Sequence, residues 1–159
     1  NIVKGKVGKI TGADIFSPAY IEKTHPDFFW YGIHGIEILF AVMGTGCKSV
    51  TRIHTADTDV AVGIWSDGRI GTFRGIRSGL KDFGGTVFGE KEIFPLGKFQ
   101  GYKNLVLQIV QFFFFVQPPF CKEETLEIIA FMEAADESRR NEGIAISLDA
   151  MFQKAKQRN

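Results

Sequence analysis

The segment 47–77, CKSVTRIHTADTDVAVGIWSDGRIGTFRGIR, decides the fold, because apolar residues alternate in it with polar or small ones. A period of two is typical of strands that bury one face. Three stretches share this period: 47–55, 58–65 and 69–77. Asp67-Gly68 between the last two is a strong hairpin signal, and a fourth strand is predicted over 85–94. We therefore expect an antiparallel meander whose open face carries Arg, Thr, Asp and Gly side chains.

Helical periodicity flanks this meander on both sides. In residues 27–44, DFFWYGIHGIEILFAVMG, apolar side chains recur every three or four positions; Asp27 is the predicted N-cap and Gly44 the predicted end. Further helices are predicted over 102–115, 122–141 and 149–159, and further strands over 9–20 and 144–148. The pattern predicts one α+β domain over residues 1–159, a mostly antiparallel open sheet with helices packed on one face.

Composition and charge narrow the function classes. The chain of 159 residues is 45% hydrophobic and 23% charged, with 19 basic and 18 acidic side chains. A net charge of +1 provides no field of one sign, so neither nucleic acid nor an anionic membrane is an expected partner. No apolar run reaches the ~20 residues that a membrane span needs, and FFFFV at 112–116 is far too short.

Sequence motifs for phosphate, metal and thiol chemistry are incomplete. GTGCKS at 44–49 has a cysteine where a phosphate-binding loop needs glycine, and no G-x-G-x-x-G occurs in the chain. The three histidines, at positions 25, 34 and 54, have no metal-ligand spacing. Cys47 and Cys121 lie far apart without an evident base, as is typical of buried small hydrophobic residues.

A polar and aromatic stripe interrupts the apolar helix predicted over 27–44. Residues three and four apart are neighbours on a helix, so Trp30, Tyr31, His34 and Glu37 are expected to share one face. A histidine beside a carboxylate suits proton transfer near neutral pH. The same histidine could also be a core residue that Glu37 or a backbone carbonyl satisfies, and the stripe alone does not separate the two.

Three segments in order carry a family resemblance. They are HPDFFWYGIHGIEILFAVMGTG at 25–46, DGRIGTFRGIR at 67–77 and EETLEIIAFMEAADESRRN at 123–141. Over 6–148 the chain resembles the C-terminal domain of the Gfo/Idh/MocA oxidoreductases, the family of glucose–fructose oxidoreductase and inositol dehydrogenase.

The resemblance implies the half of a two-domain enzyme that holds the substrate. Such enzymes have an N-terminal Rossmann domain that binds NAD or NADP and carries a catalytic Glu-Lys-Pro lysine, both absent from this sequence. Their substrates are mostly sugars, cyclitols and related polyols, and sheets often pack between subunits. We therefore expect a homodimer through the sheet, NAD or NADP in the full-length protein only, and an inactive fragment with no cofactor of its own.

The resemblance also assigns roles to the stripe. The family often has Asp-x-x-x-His at the start of this helix; His34 matches its histidine, whereas Trp30 replaces its aspartate. His34 is thus the predicted proton-transfer group, Tyr31 and Trp30 shape the pocket, and Glu37 orients the imidazole. Arg74 and Arg77 on the predicted hairpin could bind an acidic sugar or close a subunit contact.

The aromatic segment 112–120, FFFFVQPPF, departs from the family, whose members usually have a polar turn there. Phe114, Phe115 and Val116 are therefore expected to meet a second subunit or the absent domain.

Two alternatives compete with this interpretation. The chain could be a free-standing carbohydrate-binding or dimerisation module without redox activity, or it could serve lyase or epimerase chemistry, because Trp30 alters the family motif. A cytoplasmic location is favoured because no leader opens the sequence, although an export signal could lie upstream.

Overall fold

A computed structural model describes residues 2–97, 101–116 and 121–157. Its helices are α1 (Ile2–Val7), α2 (Asp27–Trp30), α3 (Ile33–Met43), α4 (Lys103–Phe115), α5 (Lys122–Arg140) and α6 (Leu148–Lys156). Its strands are β1 (Ile10–Pro18), β2 (Cys47–His54), β3 (Thr58–Trp65), β4 (Ile70–Ile76), β5 (Gly84–Gly89), β6 (Ile93–Leu96) and β7 (Ile146–Ser147).

The strands form one open sheet in the order β6-β5-β1-β4-β3-β2-β7. All pairs are antiparallel except β1 with β4, which run parallel. The α+β prediction of a mostly antiparallel open sheet is confirmed, and so is the hairpin at Asp67-Gly68, where Gly68 has φ +84°. The stretch predicted as one strand over 85–94 is instead the β5–β6 hairpin.

One face of the sheet carries the core. The helix α3 packs on β1 and β4, and α5 packs on β2. The fit between α3 and the sheet is close, because a Cβ added at Gly35 would lie 2.6 Å from Ser17 Oγ and would also overlap the Phe73 ring. Ile36, Leu39 and Phe40 are fully buried against this face. The helices that cover the sheet therefore cover one side of it, as predicted.

The helix predicted over 27–44 is broken. It ends at Trp30 and resumes at Ile33, and Gly32 between them packs so closely that a Cβ would lie 2.8 Å from Phe28 Cδ1. Gly44 ends α3 as predicted, with φ +73° and an N–H that donates to the Phe40 carbonyl at 2.7 Å.

The prediction that Asp27 is an N-cap is wrong, because it is the first residue of α2 and makes no capping bond. Its carboxylate instead accepts hydrogen bonds from Arg52 at 2.5 Å, from Arg139 at 2.6 Å and from Arg77. Arg52 is only 1% exposed; it also donates to Asp59 at 2.7 Å and to Asp136 at 2.6 Å.

The expectation that Arg and Asp side chains of the meander lie on its open face is thus wrong for Arg52 and Asp59. Both are buried on the helix side of the sheet, because each finds opposite charges there. A buried charge is tolerated only when it is paired and hydrogen-bonded. The network joins β2, β3 and the residue that follows β4 to α2 and α5.

The helix α4 makes no comparable contact with the sheet. None of its residues is buried, and Phe113, Phe114 and Phe115 are 72–78% exposed. The prediction that this end of α4 meets a second subunit or another domain stays a prediction. The proline pair that follows, at 118–119, lies outside the described residues.

Replacing Arg52 with Met should lower the free energy of unfolding by about 3–5 kcal/mol, because three carboxylates around Arg52 lose their shared partner. Urea unfolding followed by circular dichroism measures this. The matched control is Arg69→Gln, which removes the exposed pair with Asp67 and should leave the midpoint unchanged. Equal midpoints for Arg52→Met and the native chain would contradict a central role for the network.

Candidate functional site

A cleft of about 770 Å³ opens between α3 and the β5–β6 edge of the sheet. One side is a single face of α3, where His34, Glu37, Ile38 and Ala41 follow each other at helical spacing. The remaining lining residues come from the α2–α3 junction, from the start of β5 and from the segment that runs from β6 to α4: Tyr31, Phe83, Gly84, Leu96, Gly97 and Tyr102. Most of the lining is apolar, and titratable groups lie on the α3 side, as is usual in small-molecule sites.

His34 and Glu37 form the titratable pair of this cleft. His34 Nδ1 lies 3.2 Å from Glu37 Oε2, and both side chains are about half exposed. The structure therefore places His34 at the surface of the cleft rather than in the core. The carboxylate can hold the imidazole in the tautomer with a proton on Nδ1, which leaves Nε2 as a basic atom for a ligand hydroxyl.

Tyr31 and Phe83 lie beside this pair and form an aromatic wall of the cleft. The Tyr31 ring meets His34 edge to face at 5.4 Å between centroids, and it lies 6.4 Å from the ring of Phe83. On its other side Tyr31 meets Tyr20 edge to face at 4.9 Å. Sequence reasoning found Tyr31 but missed Tyr20 and Phe83, because these two come from separate loops and no local spacing links them to α3.

Trp30 lies apart from this wall. It ends α2, before the break at Gly32, so it does not continue the α3 face that carries His34 and Glu37. Its indole packs on His25 at 4.7 Å between ring centroids and is not among the residues that line the cleft. The predicted stripe is therefore brought together at Tyr31, His34 and Glu37 but not at Trp30.

Arg74 lies on the opposite side of the sheet from the cleft. In β4 the buried residues Gly71, Phe73 and Gly75 face the helices, so the exposed Arg74 between them faces away. A ligand beside His34 cannot reach this guanidinium through the sheet. Arg77, the second arginine of the predicted hairpin, belongs instead to the buried network, where it donates to Asp27 and Asp59.

The network fixes the loops around the cleft. Burial raises the pKa of Asp27, but Arg52 and Arg77 outweigh it and hold the pKa below its usual value, so this carboxylate is firmly ionised. Burial raises the pKa of Asp136, and Arg52 offsets this only in part. Since Asp27 begins α2, its ion pairs anchor the chain just before Tyr31 and α3.

The part of the chain that the structure describes has neither a cluster of metal ligands nor a membrane-spanning helix. No group of three or more His, Cys, Asp or Glu side chains there is placed to hold a metal ion. No helix within 2–97, 101–116 and 121–157 is long and apolar enough to span a membrane. The loop after β1, residues 19–26, has no glycine with which to cradle a pyrophosphate.

Similarity to known proteins lies in the structure rather than in the sequence. No protein-family model matches the chain, and no curated protein matches it significantly. A myo-inositol 2-dehydrogenase from Lactobacillus plantarum superimposes with a TM-score of 0.75 at 16% identity, over 92% of this chain. A scyllo-inositol dehydrogenase from Lactobacillus casei, bound to NAD(H) and scyllo-inositol, superimposes with a TM-score of 0.69 at 14% identity, over 93%.

The fold is that of these inositol dehydrogenases. This confirms, at the level of fold, the resemblance to the Gfo/Idh/MocA oxidoreductases. The chain spans about three-fifths of each solved structure, 59% in both cases.

The two cysteines should differ sharply towards a thiol reagent. Cys47 is buried, and burial together with Glu127 raises the pKa of its thiol to about 12, whereas Cys121 is exposed. Ellman's reagent at pH 8 should therefore release one thiol equivalent from the native chain and two from the chain in urea. The control, Cys121→Ser, should release none when native; a native equivalent from that variant would contradict the burial of Cys47.

Proposed function

We propose that this chain is the substrate-binding and assembly half of an NAD- or NADP-dependent oxidoreductase that acts on a sugar, cyclitol or related polyol. The carrying observation is the cleft in which the His34–Glu37 pair faces the aromatic wall of Tyr31 and Phe83, on the fold of inositol dehydrogenases. An aromatic ring offers an apolar face to the C–H side of a sugar ring, while a carboxylate-held histidine suits a hydroxyl proton.

The chemistry assigned to this chain is proton transfer. His34 Nε2 accepts the proton of the substrate hydroxyl as that carbon is oxidised, while Glu37 stabilises the imidazolium through Nδ1. The hydride acceptor, NAD or NADP, is assigned to a part of the enzyme that these 159 residues do not include; the scyllo-inositol dehydrogenase that binds NAD(H) is matched over only 59% of its length. The fragment alone is therefore inactive in this proposal, and its own role is to bind and orient the polyol.

His34→Gln tests this assignment in the polypeptide that joins this chain to its dinucleotide-binding domain. Removing the general base should lower kcat about 10²- to 10⁴-fold with myo-inositol or D-glucose and NAD, without changing the unfolding midpoint. The matched control is His25→Gln, because His25 packs on Trp30 and does not line the cleft. Near-normal turnover in His34→Gln would remove His34 from the chemistry.

The assembly role is assigned to the open face of the sheet, with a second copy of this chain as its partner. Five large apolar side chains there are 36–65% exposed: Phe16, Ile53, Ile64, Ile70 and Ile93. The face also carries Asp14, hydrogen-bonded to Thr72 at 2.5 Å, and Arg74. A surface with apolar patches and both signs of charge can be self-complementary about a two-fold axis.

Light scattering on the purified chain should give the mass of a dimer, and Ile64→Lys should convert it to a monomer, because a charge in the centre of an apolar interface is left unpaired. The control is Ile144→Lys, at an isoleucine that is somewhat more exposed but lies after α5, outside the meander. A native monomer, or a dimer that survives Ile64→Lys, would contradict assembly through this face.

A further inference from the structure

A row of ring contacts leads from Tyr31, which lines the cleft, through Tyr20 to a cation that lies beside the cleft. Lys81 Nζ lies 4.5 Å from the centre of the Tyr20 ring, and Tyr20 in turn meets Tyr31 edge to face at 4.9 Å. Tyr31 meets His34 at 5.4 Å. Successive contacts therefore form a row in which the predicted proton-transfer group stands at one end and an ammonium group at the other.

The two loops that carry Tyr20 and Lys81 both begin at the buried network. Tyr20 belongs to the loop after β1, and Lys81 to the loop between β4 and β5. Arg77 fastens the two loops: its Nη1 donates to the Ala19 carbonyl at 2.8 Å, next to Tyr20, while its other nitrogens donate to Asp27 and Asp59. Arg77 thus connects the starts of the two loops.

The Lys81 ammonium is not paired with a carboxylate of the described residues. Within the described residues no carboxylate oxygen lies within 4.0 Å of it, although Asp82 is its neighbour in sequence. The Asp82 carboxylate is engaged with its own loop, where it accepts from the Phe83 N–H at 2.8 Å. A lysine that lies on an aromatic face and is not neutralised by a carboxylate can pair with an anionic ligand group.

We propose that Tyr20 and Lys81 form a subsite for the anionic substituent, a carboxylate or a phosphate, of a sugar whose reacting hydroxyl lies at His34. This rests on the proposed function and narrows its substrate class to acidic sugars. The sugar ring packs along Tyr31 and Phe83, and the anion pairs with the Lys81 ammonium at the end of the row. Lys81 thus takes the role first considered for Arg74, which lies on the other side of the sheet.

Titration of the native chain with D-glucose, D-glucuronate and D-glucose 6-phosphate tests this at constant ionic strength, with saturation-transfer NMR as the readout. At least one anion should bind about tenfold more tightly than glucose, the gain expected of one charge-assisted contact. Lys81→Gln should reduce its affinity to that of glucose, and Lys81→Arg should retain most of it. The anion that loses more affinity in Lys81→Gln identifies carboxylate or phosphate as the preferred group.

The matched control is Lys48→Gln, which removes an exposed lysine from β2 and should change no affinity. If glucose binds as tightly as both anions, or if Lys81→Gln has no effect, the anion subsite is overturned while the sugar-binding role stands. If none of the three ligands binds the folded chain at millimolar concentration, both the subsite and the proposed function are overturned.

Discussion

The buried guanidinium of Arg52 is the interaction on which the rest of the structure depends. Its Cζ lies over the ring of Phe28, 3.8 Å from the ring centre, and its nitrogens bind carboxylates of α2, β3 and α5. Apolar packing alone would hold helices on this sheet, but it would not fix where the short α2 begins. Directional, charge-assisted hydrogen bonds do so, because they are short and lose their strength when the donor and acceptor shift.

The ion pairs of Arg52 in the core determine the position of the residues that line the cleft. Asp27 anchors the start of α2, the buried Phe28 packs under Arg52, and the chain then breaks at Gly32 before α3 begins. The break turns Trp30 away towards His25 and leaves Tyr31 facing His34. The site is therefore a consequence of how α2 is held, rather than of the α3 sequence alone.

Sequence reasoning predicted the parts of this fold that local patterns determine. The period of two gave β2, β3 and β4 within a residue or two, and Gly44 marked the end of α3 because its left-handed conformation suits glycine. The pair His34 and Glu37 followed from helical spacing, and the structure brings both to one cleft.

Contacts between residues distant in sequence could not be predicted from local patterns. A polar residue in an alternating strand is expected on the solvent side, so Arg52 and Asp59 were assigned to the wrong face; their burial depends on carboxylates and guanidiniums distant in sequence. The parallel pairing of β1 with β4 and the joining of Tyr20 to Lys81 depend in the same way on contacts between separated segments.

The shared character of the Arg52 network bears on how such a protein can diverge. Arg52 pairs with three carboxylates, and Arg77 binds two of the same three, so the effects of substitutions in this network are strongly coupled. Tyr20 and Lys81 lie on surface loops and are not members of this ion-pair network. Evolution can therefore exchange the groups beside the cleft one at a time, whereas the Arg52 network changes only through several substitutions at once.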